Sequence, residues 1–140
     1  MHRRGDLDRY RTWLYAAAAY NLAWGSTTVL FPEGWFAVLG VATSESLVFW
    51  QLAGMFVLVF APAYWWAARA PERHTHLVAL GLLGKTLGVV GFVVAVATGR
   101  LEAALAPVIV LNDLIWIPAF AAFVREAATQ RGLRAFLSGA

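Results

Sequence analysis

Lys85 and Asp113 are the residues of this chain best suited to chemistry, because each is a charged side chain inside an apolar run. Lys85 is the only lysine, and Leu77 to Thr98 (LVALGLLGKTLGVVGFVVAVAT) carries no other charge. Asp113 lies at a similar depth in the next apolar run, Leu101 to Val124. A charge near the centre of a bilayer costs several kcal/mol unless it is paired or hydrated, so such residues mark proton relays, counter-ion sites and ion pathways. A pair of this kind can also do no more than fix how two helices meet.

Counting outward from Gly99, Lys85 is fourteen residues back and Asp113 fourteen forward. At ~1.5 Å per helical residue both stand ~21 Å from the turn, so a direct contact between them is expected if the two runs form an antiparallel hairpin. Asn112 adjoins Asp113, Asn21 stands near the middle of an earlier apolar run, and Gln51 sits higher, near the opposite boundary. With Lys85 and Asp113 they make up the candidate binding or ion-pair layer. Interhelical hydrogen bonds from such amides contribute only about 0.6–2 kcal/mol, which suits packing as well as function.

Gly81, Gly84, Gly88 and Gly91 recur at spacings of three, four and three beside Lys85. Small residues at that spacing let a neighbouring backbone approach closely in lipid, so these four are expected to form a helix-packing face. Pro107 and Pro118 bracket Asp113, and Pro62 falls in an earlier run. Each proline lacks an N–H and leaves a carbonyl one turn earlier without its helical donor, which predicts a bend around the charged layer.

The elements that must hold this layer are membrane helices. The chain has 140 residues, 61% of them hydrophobic, a mean hydropathy of +0.65 and no cysteine. A soluble domain of this length needs a more polar surface. The absence of cysteine excludes disulfides, thiol catalysis and thiolate metal sites. His2, His74 and His76 all lie outside the apolar runs, so no metal ligand set and no cofactor is expected.

Four runs reach the ~20 residues a crossing helix needs: about 11–31, 46–68, 77–98 and 101–124. The first follows a leader containing Asp6 and Asp8 and is too long for a signal sequence, which reads as a retained helix. The expected architecture is an all-α integral membrane protein, a four-transmembrane-helix bundle forming one domain over residues 1–140. Residues 32–45 form an outer loop with an interfacial helix around Trp35, Phe36, Val38 and Leu39. Residues 125–140 form a tail that lies on the inner face through Leu133, Phe136 and Leu137.

Arginines set the orientation. Arg3, Arg4, Arg9 and Arg11 precede the first run, Arg69 and Arg73 lie between the second and third, and Arg125, Arg131 and Arg134 follow the fourth. The opposite side holds Arg100 alone among basic residues, with Glu33, Glu45 and Glu102. Both termini are therefore expected on the cytoplasmic side, in a bacterial inner membrane. The net charge of +3 follows from these topology signals and does not indicate a nucleic-acid partner.

Three functions fit the charged layer. The first is a non-catalytic accessory or scaffold subunit, a homo-oligomer or part of a larger membrane complex, with the pair fixing helix packing. The second is a proton- or cation-coupled transporter or a binder of a small amphiphilic ligand, using Asp113 and Lys85. The third is a membrane enzyme acting on a lipid-like or quinone substrate. There Asp113 would be the acid/base, Lys85 its modulator and Trp116, Phe120 and Phe92 the apolar wall, with Tyr20 and Tyr64 as spare donors.

Overall fold

The computed structural model describes residues 6–42 and 47–138. The leading arginines Arg3 and Arg4, Glu45 of the expected outer loop and the expected start of the second run at Ser46 lie outside the described residues.

Every regular element among the described residues is helical. A 3-10 turn over Asp6–Tyr10 leads into α1, Arg11–Leu30. The helix stops because Phe31 precedes Pro32, and the residue before a proline is pushed out of the helical region; its φ is −134° and its ψ 56°. Pro32 then opens α2, Pro32–Leu39, with Glu33 in the first turn. Gly40 closes α2 in the left-handed region at φ 65°, a conformation open to glycine without steric cost. A short helix thus occupies Pro32–Leu39 of this connection.

Helix α3 spans Leu47–Arg69 and passes Pro62 without interruption. Helix α4 spans Thr75–Ala97. The chain then enters a helix broken into pieces: a 3-10 turn at Ala103–Leu105, α5 at Ala106–Ile109, a π-turn at Val110–Leu114 and α6 at Ile117–Arg131. Gly132, at φ 79°, separates α6 from α7, Leu133–Ser138. Among the described residues three helices are long and apolar enough to cross a membrane: Leu47–Arg69, Thr75–Ala97 and the interrupted helix Ala103–Arg131.

Helix α6 runs on to Arg131, past the Val124 end of the fourth apolar run. Between Arg125 and Arg131 there is neither glycine nor proline, so the backbone stays helical after the hydrophobic segment has ended. Phe136 is buried, its ring stacked on His76 at 6.2 Å, so α7 folds back onto the protein.

The most extensive contact is α1 on α3. Their backbones meet at Gly25 and Gly54: a Cβ on Gly25 would stand 2.9 Å from the Gly54 carbonyl oxygen, and one on Gly54 would stand 2.8 Å from Thr28 Cγ2. Helix α4 packs on α6 and the π-turn. The two pairs share a buried core that includes Leu14, Ala17, Tyr64, Val78, Phe120 and Phe123. This core lies toward the end of the bundle that carries the 3-10 turn, the α3–α4 turn and α7. There Tyr10 meets Phe123 edge-on at 5.5 Å, Arg9 pairs with Glu126, and Arg131 donates to the Glu72 carbonyl.

Candidate functional site: a charged layer at a π-turn

Helix α4 supplies Lys85 and the π-turn supplies Asn112 and Asp113, all three buried. Lys85 Nζ stands 3.6 Å from Asp113 Oδ1 and donates a hydrogen bond of 2.5 Å to the main-chain carbonyl of Asn112. Asn112 Nδ2 reaches Asp113 Oδ1 at 3.3 Å.

The Asn112 carbonyl is free to accept because of the local backbone. In a regular helix Leu111 O would accept from Ile115 N and Asn112 O from Trp116 N. Here Ile115 N turns to Val110 O at 3.1 Å and Trp116 N to Asp113 O at 3.1 Å. Two consecutive carbonyls thereby lose their ladder donors. The Trp116 indole answers one, donating to Leu111 O at 2.8 Å, and the Lys85 ammonium answers the other. Main-chain groups at membrane depth are tolerated out of register only where side chains re-satisfy them in this way. Pro107 and Pro118 stand in the first turns of α5 and α6, so the break falls between the two residues that cannot donate to a helix ladder.

Two of the four glycines make room for the layer. A Cβ on Gly88 would stand 2.9 Å from Asp113 Oδ2, and one on Gly81 would stand 2.7 Å from Tyr64 Cε1. Gly84 and Gly91 have nothing within 4 Å of a Cβ position. The single packing face expected for Gly81, Gly84, Gly88 and Gly91 is thus divided. A step of three residues turns the helix by ~300°, so Gly84 and Gly91 sit ~60° around from Gly81 and Gly88 and miss the neighbouring helix.

Asn21 and Gln51 serve a different seam. Asn21 Nδ2 donates to Val57 O at 3.1 Å and Gln51 Nε2 to Val29 O at 2.9 Å, so both join α1 to α3. Tyr64 and Phe120, by contrast, flank the ammonium directly. Lys85 Nζ is 6.0 Å from the Tyr64 ring centre and 5.9 Å from that of Phe120, at the outer limit of cation–π attraction. Phe92 does not join them and lines a cavity elsewhere. The Asn112 carbonyl is a ligand that side-chain reasoning passed over; the two prolines bracketing Asp113 were the signal for it. Buried hydrogen-bonding groups without a partner remain near these seams, among them Asn112 Oδ1, Asn21 Oδ1 and, at the Gly54 contact, Thr28 Oγ1.

Apolar cavities among the described residues lie apart from Lys85, Asn112 and Asp113. One of about 250 Å³ includes Phe36, Trp50, Phe92 and Val108 in its wall. A second of about 330 Å³ includes Trp24, Trp35, Leu39 and Val108. A third, about 360 Å³, lies on the α1–α3 seam beside Tyr15, Pro62 and Trp65. Among the described residues no group of three or more His, Cys, Asp or Glu is placed to hold a metal ion.

No protein-family model, curated protein or solved structure matches this chain.

Proposed function

We propose that this chain is a non-catalytic subunit of a membrane assembly, crossing the bilayer four times with both termini in the cytoplasm. In this reading the Lys85–Asp113 layer is a register lock. The observation that carries it is how the ammonium is used: Lys85 is committed to a main-chain carbonyl at 2.5 Å and faces the carboxylate at 3.6 Å. Removing either partner would strand a buried charge, whereas the intact pair makes α4 and the interrupted helix meet in one register. The fourth crossing is α1, whose 20 residues are long enough and run along α3. Arg69, Arg73, Arg125 and Arg131 gather at the end shared by the termini, which supports a cytoplasmic location for that end.

The π-turn favours a second reading, proton- or cation-coupled transport at Asp113. Single π-turns recur at functional sites, and Asn112 Oδ1 stands beside this carboxylate without a partner.

Extraction into native nanodiscs, followed by mass spectrometry, tests the choice when paired with the Lys85→Leu/Asp113→Leu double variant. The assembly reading expects a stoichiometric second subunit, of this or another chain, that persists in the double variant. A proton or cation flux in proteoliposomes that disappears with Asp113→Asn would overturn it in favour of transport.

A further inference from the structure

Two cavities at the end of the bundle opposite the Asp6–Tyr10 turn and α7 share a wall residue. Val108 of α5 lines both the one between α2, α3 and α4 and the one between α1 and α2. Helix α2 borders both, presenting Phe36 to the first and Trp35 and Leu39 to the second. The result is a pair of apolar clefts on either side of one side chain, bordered by the same short helix. Because α3, α4 and the interrupted helix are of membrane-crossing length and apolarity, lipid chains are the molecules expected next to these clefts.

Polar groups at the same end define what else the occupant carries. Trp24 and Trp50, whose rings are 5.9 Å apart, each line one cleft, and both indole nitrogens are buried without a partner. A buried indole N–H ordinarily has an acceptor, and a small rotation of either ring toward its cleft would offer it to an ester carbonyl. Charges of both signs adjoin wall residues of the clefts in sequence. Arg100 and Glu102 flank Leu101, a wall residue of the first cleft, and Glu33 stands two residues before Trp35. All three side chains are exposed. One cation beside two anions suits a headgroup with a phosphate and an ammonium better than one with net negative charge.

We infer that the twin clefts hold one zwitterionic diacyl phospholipid, one acyl chain on each side of Val108, with its phosphate at Arg100 and its ammonium toward Glu102 and Glu33. The bound lipid completes the less packed end of the bundle. This site is separate from the charged layer and does not depend on the assembly reading.

The test uses the purified full chain, stripped of lipid in mild detergent and offered equal amounts of phosphatidylethanolamine and phosphatidylglycerol of identical acyl chains, with adducts read by native mass spectrometry. One phosphatidylethanolamine per chain is expected, favoured over phosphatidylglycerol by about fivefold or more. Val108→Trp, which intrudes on both clefts, is expected to lower that adduct about tenfold. Ala23→Phe blocks the second cleft from α1 at an exposed position, and it is expected to cause a similar loss should the tryptophan variant fail to fold. Equal retention of the two lipids would overturn the inference, as would an adduct unchanged in Ala23→Phe. Equal binding of the one-chain lysolipid would also refute it, since a single chain would then suffice.

Discussion

The two ends of this bundle are built on different principles. At the end that carries the Asp6–Tyr10 turn and α7, Leu7, Tyr10, Leu14, Phe123, Ala127 and Phe136 are all buried, and the Arg9–Glu126 and Arg131–Glu72 contacts tie the 3-10 turn and the α3–α4 turn to α6. At the opposite end lie two apolar clefts, and the aromatic rings of Trp24, Trp35, Phe36 and Trp50 form a chain with centroids 5.1–6.0 Å apart. Between the two ends lies the charged layer. The packed end consists of small and aromatic residues in mutual contact, whereas the open end leaves volume that another molecule can fill. In lipid, helices gain little from hiding apolar surface, so close packing and hydrogen bonds decide where a bundle is tight. The chain concentrates both toward one end.

The sharpest way to break that contrast is at the layer between the ends. Lys85→Leu is expected to destabilise the protein by about 3–5 kcal/mol, because Asp113 and the Asn112 carbonyl lose their partner while still buried. Thermal unfolding in nanodiscs should show Lys85→Leu/Asp113→Leu to be less damaged than Lys85→Leu alone. A double variant as unstable as the single would mean that the carboxylate is not what the lysine neutralises.

Gly81→Leu should come next, at about 3 kcal/mol, since its side chain would be driven into the buried Tyr64 ring. Gly84→Leu, one turn away and facing open space, is expected to leave the unfolding temperature almost unchanged. Equal effects at the two positions would show that both glycines meet a neighbour, and would point to a second chain on the Gly84 side.

Phenylalanine truncation compares the two ends directly. Phe123→Ala, in the packed end, is expected to cost about 3 kcal/mol. Phe92→Ala, which enlarges a cleft already present, should cost less than half as much in delipidated detergent. A larger loss at Phe92 would invert the comparison.

The smallest expected loss from removing a contact is at the α1–α3 seam. Asn21→Leu removes the hydrogen bond to Val57 O and should cost about 0.6 kcal/mol, at most about 1.7 kcal/mol. Chemical denaturation of the reconstituted protein would detect a substantially larger loss, which would place Asn21 in the charged layer rather than on the seam.

Much of this was legible in the residue order. The helical elements follow the apolar runs closely: α1 begins at Arg11, and α3 and α4 fall within a few residues of the expected bounds. The equal count from Gly99 placed Lys85 and Asp113 at one depth, and they stand 3.6 Å apart. What escaped was the direction of side chains around each helix. Asn21 shares an apolar run's middle with the charged residues, yet its amide turns to α3. Gly84 has the spacing of a packing residue and faces open space. Depth follows from counting along a helix, but azimuth depends on which neighbour the helix meets. That choice is made by contacts remote in sequence, such as Gly25 against Gly54.

The amino-acid sequence by itself determined the helical character, the apolar lengths, the asymmetry of arginine and the presence of one lysine and one aspartate at matched depth. These are local properties, dictated by hydrophobicity, helix geometry and the cost of charge in lipid. Only the tertiary structure decided that the break between Pro107 and Pro118 becomes a π-turn, that this turn frees the Asn112 carbonyl for Lys85, and that the aromatic end stays open. These outcomes depend on which helices lie side by side: a freed carbonyl needs a donor from another helix to be tolerable, and a cleft exists only where two neighbours fail to close.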